Sequence, residues 1–600
     1  MSRRQRKGNL SEDRRRRQQT TASNRPNPTD AARTSGGPFA QQTTARGVGG
    51  NGWLIMAALV VAVFLAYQPV WCGGFVWDDD LHLVNNPVLK TDGLLQAWVP
   101  GAYINYWPLT FTVYRLEFEM WGLNPVGFHL VNIGLHALSA ILVWKILECV
   151  RMPGAMLAAA IFALHPVNVE SVAWIAQLKN TLSLALTLLS ALFYLRYDRD
   201  GGWWRFAASI GLFLLSALAK GMALTLPVVL LACVWWQHGR IGRRDLLRML
   251  PFLLIGALMV GMEVSMQHVA VGAAGVRSDS FLSRTAIAGC AVWFYFGKFL
   301  WPTNLIFVYP RWNVNQRDLL AYVPGMLLVA ILAAAWWRRR SWGRPVTMLV
   351  VCYVALLLPV LGFVNIYFME YSLVADHWQY AAIIVPCAAF AGVATELGRR
   401  LPWHRPVGYL FCFGLLTVLA CLTFGQSRMY ADIETLFQVT IERNPNCWMA
   451  HNNLGLILAG RGHVDSAIEH YEKGLAIKSD DAAAHYNLAA LLARRGQIDA
   501  AIAQCEKAVE LKPDFTEAQY RLGLALAGRG QVDAAIAHYE KALEVEPNYA
   551  EIHYNLGVAL ANRGQMDAAI DHYQKALRIK PDFVAARRSL SAALAQRKKP

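Results

Sequence analysis

Eleven stretches of this chain run for nearly a bilayer's width with almost no charge, at 52–70, 126–147, 153–172, 178–196, 203–219, 221–237, 249–267, 318–337, 345–365, 378–397 and 406–425. A bilayer core about 30 Å thick is spanned by roughly 20 apolar residues in a helix. Without water to satisfy backbone groups, the alternative is a closed barrel of alternating strands. These runs do not alternate, so an all-α polytopic bundle of about eleven spans is expected. Charged residues make up 16% of the 600, against about 25% in a soluble protein. That excludes an all-soluble enzyme, a disulfide scaffold and a disordered hub.

The net charge of +16 resembles a nucleic-acid signal until it is located. Residues 1–46 hold eleven Arg/Lys against Glu12, Asp13 and Asp30, which is half of the total. Rich in Gln, Ser, Thr, Gly and Pro, residues 1–50 cannot build a core and are expected to be a disordered cytoplasmic tail. Further arginines mark short loops: Arg240, Arg243, Arg244 and Arg248; Arg338, Arg339, Arg340 and Arg344; Arg399, Arg400 and Arg405. All face the cytoplasm if a twelfth run, 285–301, is re-entrant or interfacial. The C-terminus then lies on the far side. No nucleic-acid role is expected. The ten cysteines form no CxxC pair and read as core hydrophobes, with no metal site.

Near residue 445 the composition turns soluble, and a 34-residue period begins. Leu454, Leu488, Leu522 and Leu556 recur, as do Ala467, Ala501, Ala535 and Ala569, and Gly462, Gly496, Gly530 and Gly564. Pro513, Pro547 and Pro581 close successive units. This is the tetratricopeptide period. The domains are therefore 1–50, a membrane bundle 51–426 with its first external loop at 71–125, and a repeat solenoid 427–600. Four full repeats begin near 448, 482, 516 and 550, with a capping helix from about 584.

Chemistry gathers at the external ends of the runs. FVWDDDLHLVNNP places Asp78, Asp79 and Asp80 just beyond the first span, where a carboxylate cluster suits a general base or a cation site. The same residues also suit the cap of a following helix. FALHPVNVESVAWIAQLKNTLS sets His165, Glu170 and Lys179 around a mouth between two spans. Lys220 lies in a short turn, and Asp376 and His377 open another span. His129 and His136 share a helix face and read as hydrogen-bonded within the bundle. On the inner helices of the repeats, Asn453, Asn487, Arg521 and Asn555 form a ladder suited to an extended peptide.

WDDD followed by NNP, then YWPLT, WGLNPVGFHLVNIGLHAL, FALHPVNVESVAWI, GKFLWPTNLIFVYP and ADHWQY, all ahead of tetratricopeptide repeats, resembles the transmembrane-and-tetratricopeptide (TMTC) O-mannosyltransferases and their bacterial relatives. The resemblance covers residue 52 to the end. It implies a GT-C-fold, inverting glycosyltransferase that uses a lipid-phosphate sugar on the external face. Asp78 and Asp79 would then be catalytic, and His165, Glu170, Lys179, Lys220, Asp376 and His377 would surround the donor. Relatives carry ERKD and ADRY where this chain has Gln177–Asn180 and Ala375–Trp378, so Lys or His must hold the phosphate in place of Arg.

The expected function is transfer of mannose or another hexose from a polyprenyl-phosphate donor to Ser/Thr hydroxyls of an exported protein presented by the repeats. No cofactor is required, apart from a cation that the acidic loop has the ligands to take. The expected location is a bacterial inner membrane, with the repeats periplasmic. The rival is a non-enzymatic membrane-anchored scaffold for envelope complexes.

Overall fold

The computed structural model describes residues 52–597 apart from 87–88, 90–92, 102–104, 221–224, 272–276, 278 and 401–404. The basic tail lies outside the described residues. Each of the eleven runs contains a helix, and no strand occurs among the described residues. Among the described residues, six helices are long and apolar enough to cross a bilayer alone: Pro125–Cys149, Ile175–Asp200, Arg243–Met266, Leu319–Trp337, Gly343–Val360 and Pro406–Tyr430. A bent pair, Ala155–Leu164 with Pro166–Ala173, turns by 52° and is a broken span or a re-entrant loop. Pro166 cannot continue the hydrogen-bond ladder, and the Phe162 carbonyl it would have served accepts instead from the Asn168 side-chain amide at 2.7 Å. The other four runs form shorter helices, Gly52–Ala66, Trp203–Ala219, Leu226–His238 and Ile384–Arg400.

The ambiguous run is the helix Phe281–Leu300. Near its start Arg284 donates to the Gly362 carbonyl at 3.1 Å, and near its end the Phe299 carbonyl meets His165 at 3.0 Å. Between them Trp293 donates to the Pro324 carbonyl, at the start of the next long helix. A Cβ on Gly289 would sit 2.7 Å from the Gly325 nitrogen, so only glycine permits this crossing. The helix is thus tied to the loops around Gly362 and His165, and it is not among the described helices long and apolar enough to cross a bilayer.

Below it in the chain, helix pairs repeat with the sequence period. Inner helices are Trp448–Gly460, Ala482–Arg494, Thr516–Gly528 and Ala550–Asn562, and Val584–Arg597 caps the array. Gly462, Gly496, Gly530 and Gly564 turn each pair at φ between 76° and 84°, the left-handed region that glycine enters without penalty. Packing explains one deviation from the repeat. A Cβ on Gly523 or Gly557 would come within 2.5 or 2.7 Å of Tyr539 or Tyr573. In the second repeat the facing residue is the smaller Cys505, and Ala489 replaces the glycine. His451 and His553 also have structural roles, meeting His470 and His572 at 3.0 Å and the Pro445 and Pro547 carbonyls.

The first repeat is fastened to the bundle. Lys478 pairs with Glu370 at 2.7 Å and lies 4.0 Å over the Trp448 ring, which packs on Tyr371 at 5.4 Å. Asn444 donates to the Val308 carbonyl at 3.0 Å. The helix Ile433–Arg443, just ahead of the first full repeat, buries Leu436 and Phe437. Together these contacts hold the solenoid's first turn beside the loops that carry the candidate residues.

Candidate active site

The three carboxylates of the first loop occupy three different environments. Asp79 is fully buried, and its two oxygens accept from the backbone N–H groups of Val76 and Ala176, each at 2.7 Å. Burial pushes its pKa up to about 8, against the pull of those two donors, with neighbouring Asp78 adding to the rise. Asp80 is exposed and begins the short turn Asp80–Val84. Asp79 makes no side-chain cap to that turn, so the capping alternative does not hold. Asp78 is half-buried and accepts no side-chain hydrogen bond among the described residues. Burial raises its pKa, and the Lys179 ammonium draws it back. The three carboxylates do not converge, and no group of three metal-ligating side chains occurs among the described residues.

Lys179 is buried in an aromatic box, its Nζ 4.5 Å from the Trp107 ring centre and 5.8 Å from that of Trp174. Such a box suits an ammonium, because the ring faces are electronegative. One residue on, Asn180 bridges the elements: its amide donates to Gln177 at 2.6 Å and to the His377 carbonyl at 3.4 Å, and its oxygen accepts from Lys220. Lys220 caps the helix Trp203–Ala219, and Thr110 of the first loop holds the last carbonyl of that helix at 2.9 Å. Burial, with like-charged Lys179 nearby, brings Lys220 down to about 7.

Glu170 clamps His377 at two points, accepting from its backbone N–H and from its Nδ1, both at 2.9 Å. Burial and the two lysines hold His377 well below the usual imidazole range, so the ring is neutral. Asp376 faces the other way and takes the Tyr309 hydroxyl at 3.1 and 3.0 Å. Asp78, Lys179, Lys220, Glu170 and His377 therefore gather in one place, with Asp376 bracing its back.

His165 departs from expectation. Its Nε2 meets the Phe299 carbonyl, its Nδ1 accepts from Val167 N, and its ring stacks on Phe299. It caps a turn and has no free nitrogen for a donor. His136 is likewise structural, held between Tyr380 and the Ala163 carbonyl. The repeat ladder is also partly self-satisfied. Asn453 bonds the Met449 carbonyl, Arg521 the Tyr486 hydroxyl, and Asn555 the Tyr520 hydroxyl.

Two features escaped the sequence reading. Glu263, on the helix Arg243–Val271, lies close enough to Lys179 and Lys220 to act on both charges. A lone acid in an apolar run was the available signal. The second is an apolar cavity of about 220 Å³ that opens at Lys220, Asn180 and His377. It descends past Leu184, Leu188, Leu230 and Leu356 to Val150 and Leu195. From Asn180 to Leu195 is about 22 Å at the helical rise.

Tetratricopeptide repeat models match residues 430–482 and 520–583, and residues 458–527. Over 447 residues the chain is 24% identical to Protein O-mannosyl-transferase F38B6.6 of Caenorhabditis elegans, covering 70% of this chain and 62% of that protein. It is 24% identical to Protein O-mannosyl-transferase TMTC4 of Mus musculus, over 69% of this chain and 66% of that one. It is 32% identical to TMTC1 of Homo sapiens across 23% of this chain and 18% of that protein. The chain thus spans about three fifths of the length of the first of these relatives. Among solved structures, MamA is 26% identical with a TM-score of 0.24, covering 25% of this chain and 81% of its own. YrrB, a tetratricopeptide protein, is 24% identical with a TM-score of 0.25, covering 31% and 91%. The chain is thus similar over most of its length to these O-mannosyl-transferases, and it carries tetratricopeptide repeats at its C-terminal end.

Proposed function

We propose that this protein is an integral-membrane inverting glycosyltransferase that moves mannose, or another hexose, from polyprenyl phosphate to a Ser/Thr hydroxyl of a protein presented by the repeats. The observation that carries this reading is the apolar cavity ending at two lysines, Lys220 in its wall and Lys179 beside it, with a half-buried carboxylate, Asp78, close to Lys179. The cavity suits the phosphate-proximal end of a lipid tail, the lysines a phosphate, and the space before Asp78 the sugar. The names of the relatives, protein O-mannosyl-transferases, support the mannosyl transfer.

Asp78 takes the proton from the acceptor hydroxyl. The oxygen attacks the anomeric carbon from the face opposite the phosphate, and the anomeric C–O bond breaks with inversion. Its electron pair leaves on the phosphate oxygen, where Lys179 and Lys220 oppose the charge. Asp79 does not touch the reacting atoms. It pins Asp78's loop to Ala176, three residues before Lys179. Glu170, through His377, holds the loop at the mouth of the cavity. The arginine-rich loops face the cytoplasm in this reading, and the repeats lie on the opposite side of a bacterial inner membrane.

The pH dependence of donor use tests the assignment. Lys220, brought down to about 7, is cationic below that pH and neutral above it. Affinity for an anionic donor should therefore fall as pH rises through neutrality. Asp78, raised from its ordinary value, must be ionised to act as base, so activity should also fall on the acid side. The kcat/KM for polyprenyl-phosphate mannose is expected to be bell-shaped. Lys220→Arg keeps its charge and should push the alkaline limb out of range. An alkaline limb unmoved in Lys220→Arg would remove Lys220 from the donor site.

A further inference from the structure

Only three described non-glycine residues have positive φ: Trp77, Arg151 and Asn304. Trp77, at φ 45°, immediately precedes Asp78. The Asp79 N–H donates to the Val76 carbonyl at 3.1 Å, and the Val76 N–H donates back to the Asp79 carboxylate at 2.7 Å. Val76–Asp79 is thus a β-turn closed twice, with Trp77 and Asp78 at its centre. Positive φ at the first central position alone is the pattern of a type II′ turn, which calls for glycine there. A bulky aromatic in that place is an outlier that persists only where its surroundings over-determine it.

Those surroundings are four aromatic rings. The Trp77 indole packs on Phe307 at 5.2 Å, Trp174 at 5.6 Å, Tyr371 at 5.8 Å and Phe368 at 5.9 Å. Trp174 is also a wall of the box around Lys179. One ring therefore couples the backbone of the acidic turn to the ammonium beside it. The turn divides two adjacent carboxylates, leaving Asp79 fully buried on its two N–H groups and Asp78 only partly buried.

We propose that Trp77 is a positioning residue, whose caged ring holds the left-handed turn that makes Asp79 an anchor and presents Asp78 beside Lys179. The proposal rests on the reading of Asp78 as the base, and its test separates the two. In the full chain in nanodiscs, Trp77→Phe, Trp77→Gly and Trp77→Ala are compared by two readouts. The first is carbodiimide coupling of glycine ethyl ester to carboxyls, located by peptide mass spectrometry. The second is kcat and KM for polyprenyl-phosphate mannose.

The wild type should couple at Asp78 and Asp80 and spare Asp79. Phe should preserve that pattern. Ala, which loses the cage and still resists positive φ, should expose Asp79 to coupling and lower kcat about 100-fold, with donor KM unchanged. Gly should fall between Phe and Ala, because it adopts the turn without the ring. Simple loss of packing would make Gly at least as damaging as Ala, and that order would overturn the proposal, as would an Asp79 still spared in all three variants. If no protein transfers sugar yet coupling follows the expected order, the turn assignment stands and the transferase reading falls.

Discussion

Replacing Asp78 with Asn should slow sugar transfer by about 10²- to 10⁴-fold, the range a positioned general base contributes, and leave the fold intact. Asp78 accepts no side-chain hydrogen bond among the described residues, so an isosteric amide removes the base and little else. Asp79→Asn should behave differently. Its carboxylate holds two backbone N–H groups at 2.7 Å in a fully buried position. An amide can accept from one of them while presenting an N–H to the other, which leaves a buried donor unsatisfied at a cost of about 1–3 kcal/mol. That variant should lose thermal stability as well as rate. Transfer rates and melting curves on both proteins check the contrast. A fully active Asp78→Asn enzyme would show that the acceptor proton goes elsewhere.

Lys179→Met should cost about 10²- to 10³-fold in kcat, the scale of removing one group that opposes developing charge in a water-poor site. Methionine fills the space between Trp107 and Trp174 with similar length and no charge, so packing survives. Lys179 is therefore separable from its neighbours in a way Lys220, bonded to Asn180, is not. The loss should appear mainly in kcat, because leaving-group charge grows toward the transition state, with a smaller rise in donor KM. Steady-state kinetics over donor concentration separates the two constants. A loss confined to KM would make Lys179 a docking cation only.

The architecture was legible wherever a pattern repeats. Charge-free runs mark helices because a bilayer admits little else, and the 34-residue period marks the repeats down to the residues that pack them. Even the exchange of a Gly–Tyr contact for Ala489 with Cys505 follows from one volume trading against another. The site was legible only as a list of candidates. Glu170 meets His377 across 207 positions, and Asp79 meets Ala176 across 97. No spacing rule encodes such contacts, which loop packing creates.

Within that list, the difference between Asp78 and Asp79 was hidden because it depends on the backbone of Trp77. Turn chemistry would have asked for glycine at that position. His165 was misread for a related reason. Grouped in sequence with Glu170 and Lys179, it suits a donor contact, yet its place before Pro166 makes it a histidine cap for a turn. Glu263 was overlooked because the run around it reads as a plain span.

The most direct measurement is transfer of radiolabelled sugar from polyprenyl-phosphate mannose, glucose or N-acetylglucosamine to envelope protein, by the purified full chain in nanodiscs. The account predicts label on Ser/Thr from one of the hexose donors, in inverted anomeric configuration. Consumption of no donor, with the repeats still capturing envelope proteins, would contradict it and leave a membrane-anchored scaffold.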